Sequence, residues 1–182
     1  MRNGQFDLSG RVAIVTGGNG GIGLGMARGL ADAGAAVAVV GRNEAKSAAA
    51  VEDLGKRGVK AIAVATDVTD KAAVAAMVER VIGELGRIDI LVNNAGMSIR
   101  KPPHELELDE WSKVIDTNLT SAFLCSKAAY PALKASGHGK IINIGSMMSI
   151  FGASFAAAYA ASKGGIVQYT RACRSEEHTS EL

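Results

Sequence analysis

Short apolar runs alternate with longer amphipathic stretches along the chain. The apolar runs are nearly continuous, as in strands buried on both faces of a parallel sheet; they span 12–15, 36–40, 61–65, 88–92 and 141–144, interrupted only by Asp89 and Asn143. The stretches between and after them carry apolar residues at helical spacing; they span 22–33, 44–56, 71–85, 108–135 and 156–172. Because parallel strands joined by helices require right-handed crossovers, the pattern predicts an α/β fold with a doubly wound parallel sheet.

Residues that begin or end helices flank several of these stretches. Asp70 and Asp109 stand where an N-cap or a first-turn acid is favourable. Gly34, Gly58 and Gly86 stand where a helix ends in a left-handed residue. These positions support the predicted helix boundaries.

Composition and charge narrow the class of protein. The 182 residues are 48% apolar and 21% charged, which suits one globular domain. The formal charge of +2 comes from 20 basic and 18 acidic residues spread along the chain, so no basic block indicates nucleic acid as a partner. The apolar runs are far shorter than the ~20 residues of a membrane span, and the N-terminus lacks a signal-type apolar region. We expect a soluble, cytoplasmic protein with no membrane partner.

Cysteine and glycine usage adds two further expectations. Cys125 and Cys173 lack the spacing of a metal site, and we interpret them as reduced thiols. Glycine is abundant, at 22 residues, without a three-residue period. Such glycine serves tight turns and close approaches of the backbone.

A glycine-rich turn directly follows the first predicted strand and opens into a helix. It contains Gly17, Asn19, Gly21, Ile22 and Gly23. A turn of this kind lets the backbone approach a pyrophosphate and directs helix N-terminal amides at it. A tight turn without a ligand needs some of the same residues, but the position in a strand-turn-helix unit favours dinucleotide binding.

The residue that follows the second strand bears on the choice of cofactor. An acid there binds the ribose 2′-hydroxyl of NAD, whereas an arginine pairs with the 2′-phosphate of NADP. This chain has Gly41 followed by Arg42. Arg42 favours NADP, with NAD left open and a solvated loop arginine as the alternative.

Four residues in the second half form a candidate catalytic group. Tyr159 and Lys163 are four apart on a predicted helix, so they share one face. A nearby ammonium stabilises a phenolate, which makes Tyr159 a credible general acid and base. Ser146 is suited to hydrogen-bond the substrate oxygen, and Asn118 to hold a proton-relay water beside Lys163. Taken singly, each has an ordinary explanation as a surface or turn residue.

Together these motifs closely resemble the short-chain dehydrogenase/reductase family over residues 6 to 173. The motifs that carry the resemblance stand in the family's order; they are Thr16-Gly17 with Gly21-Ile22-Gly23, Asp67-Val68, Asn93-Asn94-Ala95-Gly96, Asn118, Ser146, and Tyr159 with Lys163. The resemblance implies a Rossmann-type sheet and hydride exchange between NADP(H) and an alcohol/carbonyl pair, with Tyr159 transferring the proton.

The resemblance also assigns cofactor contacts. It implies that Gly17, Gly21 and Gly23 cradle the pyrophosphate. Asp67 and Val68 would contact the adenine, and Asn93 to Gly96, which include Ala95, would line the cofactor behind the fourth strand. Tyr159 and Lys163 would lie at its nicotinamide ribose. No metal ligand is implied.

The substrate is less constrained. The segment around Ser146 is similar to sugar-acid dehydrogenases of the gluconate and deoxygluconate type, and Arg100-Lys101 would lie near the mouth of the site, where they can attract a carboxylate. Two solvated loop cations explain them equally well. The alternatives are a 3-oxoacyl carrier-protein reductase, or a module that binds a dinucleotide without turnover. The intact catalytic group favours an enzyme.

The end of the chain departs from the family. Residues 174–182 match, residue for residue, one reading frame of a widely used sequencing adapter. We therefore expect a truncated dinucleotide-binding catalytic domain over 1–173, an artefactual tail over 174–182, and a sheet incomplete at its C-terminal edge. The resemblance implies that the full-length form is a homo-oligomer. We expect the fragment itself to be inactive and poorly stable, because its last strand exposes an apolar edge.

Overall fold

The fold is taken from a computed structural model that describes residues 6–179, with side chains described up to residue 174. Its strands are β1 (Val12–Thr16), β2 (Ala36–Val40), β3 (Ala61–Val64), β4 (Ile90–Asn93) and β5 (Lys140–Asn143). Its helices are α1 (Gly21–Asp32), α2 (Glu44–Gly55), α3 (Lys71–Leu85), α4 (Leu108–Ile115), α5 (Ser121–Ala135) and α6 (Ala157–Thr179). Short 3₁₀ turns cover Pro103–Glu105 and Met147–Ser149.

All five strands are parallel, in the order β3-β2-β1-β4-β5. The chain winds from β1 outward to β3, then crosses to β4 on the other side of β1. The ladder aligns Thr16 with Val40 and Asn93 with Asn143, so the carboxyl ends of the central strands lie at one edge. This confirms the predicted doubly wound Rossmann-type fold.

Helices cover both faces of the sheet. Alternate residues of β1 point to opposite sides: Ala13 and Val15 pack with α1 and α2, whereas Ile14 packs with α3 and α5. Burial of residues on both faces explains why these strands are continuous apolar runs. The result is a three-layer core.

The structure confirms the predicted boundaries of α3 and the predicted acid in the first turn of α4. The Asp70 carboxylate accepts hydrogen bonds from the backbone N–H of Ala72 and Ala73 at the start of α3, and Gly86 ends that helix with φ of 85°. Asp109 lies in the first turn of α4, where Glu107 is the cap. An aspartate at each site is also favoured by the helix dipole.

The stretch 108–135 is not the single regular helix that its periodicity predicts. Residues Asp116–Thr120 form a π-helical segment between α4 and α5. A π-helical turn takes in an extra residue and redirects the side chains that it carries, often at functional sites. Hydrophobic spacing does not reveal such a turn, because apolar positions continue on both sides of it.

Strand β5 lies at the edge of the sheet. Within residues 6–179 it pairs with β4, and Ile141 and Ile142 are 37% and 45% exposed. Both cysteines are free, with Cys125 buried and Cys173 exposed. Among the described residues no helix is both long and apolar enough to cross a membrane, and no cluster of metal-ligating side chains is found.

Candidate active site

Two cavities open at the carboxyl ends of the strands, where the sheet order reverses between β1 and β4. Ligands of doubly wound proteins bind at such a switch point. The first cavity has a volume of about 700 Å³, and its lining includes Asn19, Arg42, Lys46, Asp67 and Val68. The second has a volume of about 570 Å³, and its lining includes Ile22, Arg100, Ser146, Tyr159 and Lys163. Gly17, Ala95, Gly96 and Met97 line both, so the two form one cleft.

The backbone conformation and close packing of the glycine-rich turn require glycine at several positions. Gly17 and Gly21 have φ of 63° and 51°, a region that favours glycine. A Cβ at Gly23 would stand 2.2 Å from the carbonyl oxygen of Gly17, so the helix can pack against the turn only without a side chain there. A Cβ at Gly20 or Gly21 would meet open space, which leaves room for a ligand above the turn.

The start of α1 fits an anion. Its N-cap is Gly20, which offers no side-chain hydrogen bond, and its first turn carries no acid. The first amides of the helix are therefore available as donors, and the helix dipole favours negative charge there. These features fit the pyrophosphate of a dinucleotide.

A threonine and an asparagine join the turn to the segment after β4. Thr16 Oγ1 accepts hydrogen bonds from the backbone N–H of Asn94 and Ala95, both at 3.0 Å. The Asn94 amide donates to the carbonyl oxygen of Thr16 at 2.9 Å. The sequence identifies Thr16 only as part of a motif, and Asn94 only as one of four residues expected to line the cofactor. Their bonds fix the common wall of the two cavities.

Arg42 and Asp67 face each other across the first cavity. Arg42 is 75% exposed, and its Nη1 lies 3.8 Å from Asp67 Oδ2, so the guanidinium is weakly paired and accessible. Hydrogen bonds from the backbone and hydroxyl of Thr69 hold the pKa of Asp67 below its usual value, with Arg42 adding a smaller effect. Lys46 lines the same cavity, and its position in the first turn of α2, four residues after Arg42, is the sequence signal for it.

The side chain of Asn19 accounts for the presence of glycine at position 41, directly after β2. Its Nδ2 donates to Ser47 Oγ at 3.0 Å, which ties the glycine-rich turn to α2. A Cβ at Gly41 would lie 2.5 Å from that same Nδ2. Asn19 therefore occupies the space in which an acidic side chain at position 41 would begin.

Lys163 is buried beneath the second cavity. Its Nζ donates to the carbonyl oxygen of Ile144 at 2.6 Å and lies 5.7 Å from the centroid of the Tyr159 ring. Burial lowers the pKa of Lys163, because removal from water disfavours the charged form. Tyr159 itself is half-buried and lines the cavity. The predicted pair on one helical face is therefore present.

Ser146 and Asn118 flank this pair. Ser146 lines the second cavity, and its hydroxyl accepts a hydrogen bond from the backbone N–H of Met148 at 3.1 Å. The Asn118 amide is buried and lies outside both linings. Its Oδ1 accepts from Met97 N, and its Nδ2 donates to Met97 O and to Ser162 Oγ. The side chain of Asn118 thus holds protein groups together.

Asn93 differs from its neighbours in sequence. Its Nδ2 donates to Asn143 Oδ1 at 2.8 Å and to Ser126 Oγ at 3.0 Å, so the side chain faces β5 and α5. It lines neither cavity, whereas Ala95 and Gly96 line both. Of the other candidate cofactor residues, all except Gly21 line one or both cavities.

Comparison with known proteins agrees with this arrangement. The family model for short chain dehydrogenase matches residues 11–182. The chain belongs to the short-chain dehydrogenase family. The 2-dehydro-3-deoxy-D-gluconate 5-dehydrogenase of Formosa agariphila is 40% identical over 172 residues, which are 94% of this chain and 65% of that protein. The cis-4-hydroxycyclohexanecarboxylate dehydrogenase of Sinomonas cyclohexanicum is 42% identical over 162 residues, 88% of this chain and 65% of that one.

Solved structures of the family share the fold. A protein of Agrobacterium tumefaciens assigned as a gluconate dehydrogenase has a TM-score of 0.90 and 45% identity, over 94% of this chain and 68% of that one. An NAD⁺-bound xylitol dehydrogenase has a TM-score of 0.89 and 34% identity, over 93% of this chain and 65% of that one. This short-chain dehydrogenase chain therefore spans about two thirds of the length of its relatives.

Proposed function

We propose that the protein to which this chain belongs is an NADP-dependent oxidoreductase that interconverts an alcohol and a ketone of a hydroxy acid, of the sugar-acid type. The observation that carries the proposal is the shared wall of the two cavities. It joins the anion-binding turn and Arg42 at one end of a single cleft to Ser146, Tyr159 and Lys163 at the other.

Each residue of the site has a different role in such a reaction. Bound NADP(H) accepts or supplies the hydride. The Tyr159 hydroxyl moves the proton to or from the substrate oxygen, and the Lys163 ammonium favours the phenolate form by its charge. The Ser146 hydroxyl is placed to hydrogen-bond that oxygen as negative charge develops on it. The hydrogen bond from Lys163 to Ile144 fixes the ammonium for this role.

The choice of NADP rests on the cations of the first cavity. Arg42 is accessible and only weakly paired, and Lys46 lies one turn into the adjoining helix. A 2′-phosphate between them would gain charge-assisted hydrogen bonds that the 2′-hydroxyl of NAD does not offer. Asp67, which lines the same cavity as Asp116, has its pKa lowered by the hydrogen bonds from Thr69, so its negative charge opposes a phosphate there and the cations offset it.

The substrate class rests on Arg100. This side chain lines the second cavity with Tyr159, and its guanidinium lies 5.2 Å from the centroid of the Phe155 ring. Among the described residues it forms no ion pair. The names of several relatives describe acids that carry an alcohol or ketone away from the carboxylate. An arginine at the substrate end suits that carboxylate.

Because the chain spans about two thirds of the length of its relatives, the test expresses the full-length gene product and measures NADP⁺ reduction with D-gluconate. Tyr159→Phe is expected to lower kcat by about 1,000-fold with NADPH affinity within about threefold, because the hydroxyl moves a proton but contributes little to dinucleotide binding. Tyr130→Phe, an exposed tyrosine of α5, is the control and should keep parent activity. Near-parent turnover in Tyr159→Phe would remove the assigned role.

The same assay separates the alternatives. Turnover of acetoacetyl thioesters without turnover of D-gluconate would favour a 3-oxoacyl reductase. Binding of NADPH without turnover of either substrate would favour a dinucleotide-binding module.

A further inference from the structure

One buried hydroxyl joins α6 to the π-helical segment. Ser162 is fully buried, and its Oγ donates to the carbonyl oxygen of Tyr159 at 2.7 Å. The same Oγ accepts a hydrogen bond from Asn118 Nδ2 at 3.0 Å. Ser162 directly precedes Lys163, so these bonds lie within the helical turn that carries Tyr159 and Lys163.

The far end of this connection is also fixed. The Asn118 amide binds both backbone groups of Met97, with Met97 N donating at 2.8 Å and Met97 O accepting at 2.9 Å. Met97 lines both cavities. A continuous path of hydrogen bonds therefore runs from the wall of the cleft through Asn118 and Ser162 to the backbone of Tyr159.

Two further contacts fix the same part of α6. A Cβ at Gly165 would stand 2.8 Å from Leu119 Cδ2, so the helix packs closely on the π-helical segment because glycine stands there. On the other side, Lys163 Nζ donates to Ile144 O at the end of β5. Close packing at Gly165 and the Lys163 bond hold this part of the helix against its neighbours, and the Ser162 hydroxyl bonds it to Asn118.

We propose that Ser162 is a positioning residue for Tyr159 and Lys163. It acts through Asn118 to hold the first turns of α6 at a set distance from the Met97 wall, which orients the phenol and the ammonium toward a bound nicotinamide ribose. The proposal deepens the proposed function and rests on it for the roles of Tyr159 and Lys163. The link between α6 and the π-helical segment stands independently of any ligand.

The chain contains a matched control on the same helix. Thr170 Oγ1 donates to Ile166 O at 2.7 Å and accepts from Asn143 Nδ2 at 2.9 Å. It therefore makes the same two kinds of bond as Ser162. It lies beside a separate cavity between α5, α6 and β5, away from the cleft. Thr170→Val removes a hydroxyl that makes the same two kinds of bond at an exposed position, and it leaves the path to Asn118 intact.

The first measurement is amide hydrogen exchange in the 182-residue chain without ligand. Ser162→Ala is expected to raise exchange at least fivefold in residues 116–120 and in the first turns of α6. Ser162→Cys, which keeps a weaker donor and acceptor, should give an intermediate effect and serves if the alanine variant does not fold. Unchanged exchange in 116–120, or an equal rise there in Thr170→Val, would overturn the proposal.

The second measurement is the fluorescence of bound NADPH, which reports on the nicotinamide end. For Ser162→Ala we expect a Kd within threefold of the parent, because the phosphates are held elsewhere, with the fluorescence enhancement at least halved. Thr170→Val should match the parent in both. A bound-state fluorescence equal to the parent in Ser162→Ala would overturn the positioning role. Failure of the parent to bind NADPH would instead overturn the proposed cofactor. The exchange data would still test whether Ser162 joins α6 to the π-helical segment.

Discussion

Arg100 and Lys101 are adjacent cations with different surroundings. Lys101 Nζ lies 2.6 Å from Glu110 Oε1, and this hydrogen bond raises the pKa of Lys101 and lowers that of Glu110. The Lys101 backbone N–H also donates to Phe155 O, which joins its segment to the chain ahead of α6. Arg100 instead faces the second cavity. The sequence predicts two equivalent cations, and only the contacts distinguish them.

Cofactor choice is a prediction at the scale of one residue. Arg42→Ala is expected to weaken NADPH binding by about tenfold or more and NADH binding by less than twofold, because a charge-assisted bond to the 2′-phosphate contributes about 1.5–3 kcal/mol. Titration of the fluorescence of each reduced cofactor measures this. Arg80→Ala, which removes an exposed arginine paired with Glu84 on α3, is the control. Equal losses for both cofactors would show that Arg42 does not select between them.

At the scale of an element, the glycine-rich turn and α1 form one unit. Gly23→Ala would place a methyl group against the carbonyl of Gly17. We expect this to lower the free energy of unfolding by about 2 kcal/mol and to weaken NADPH binding. Gly25→Ala, two residues further along α1, meets no atom within 4 Å and should raise stability by up to about 1 kcal/mol. Denaturant unfolding and NADPH titration check both. Similar behaviour of the two variants would contradict the steric argument.

The starts of β1 and β4 are joined by Asp89. Its carboxylate is 1% exposed and accepts hydrogen bonds from Arg87, Arg11 and the backbone of Val12. Burial alone would raise the pKa of Asp89, but the bonds from these partners outweigh it and lower the pKa. A carboxylate with a lowered pKa stabilises the fold above its unfolded value of about 3.9, and this stability is lost as the pH falls through the folded value.

Asp89→Asn is therefore expected to cost about 3 kcal/mol at neutral pH, because it leaves two arginines without their buried partner. The variant should also lose less stability than the parent between pH 5 and pH 3. Urea unfolding at several pH values measures both effects. Asp53→Asn, in an exposed pair with Arg28, should leave the unfolding midpoint near that of the parent. An acid dependence equal to the parent in Asp89→Asn would contradict the assignment.

The elements differ in how well the sequence predicts them. β2 agrees with the apolar run 36–40 to the residue, and β1 and β3 agree with their runs to within one residue, because burial on both faces leaves a continuous signal. The run 88–92 is displaced, with β4 at Ile90–Asn93, because Ile88 is buried without belonging to the strand. The π-helical segment escapes prediction, because apolar positions continue on both sides of it and the partners of its residue Asn118, Met97 and Ser162, are distant in sequence.

At the scale of the whole molecule, the class of fold follows from alternation of strands and helices, whereas strand order does not. The sequence of a short apolar run does not indicate which strand it pairs with, so the order β3-β2-β1-β4-β5 is known only from the structure. The same holds for the site. Tyr159 and Lys163 are predictable from helical spacing, but Thr16 and Ser162 take their roles from packing across the molecule.

The exposed edge of β5 gives a prediction about association. An apolar edge strand with unpaired backbone groups favours pairing with another chain. We expect the 182-residue chain to self-associate, and Ile142→Lys to reduce this, because a lysine on an edge opposes strand addition. Light scattering under reducing conditions measures the change. Ile82→Lys, at a residue 39% exposed on α3, is the control, and an equal effect of both variants would contradict a role of the strand edge.

The π-helical segment Asp116–Thr120 fixes the direction in which the side chains of α5 point relative to those of α4. Each residue of an α-helix advances the direction of the side chains by about 100°. Deleting one residue there would allow regular winding through the whole stretch, and would turn Asn118 away from Met97 and Ser162. The number of residues in this segment therefore matters as well as their identity, because deleting one would separate the wall of the cleft from the helix that carries Tyr159.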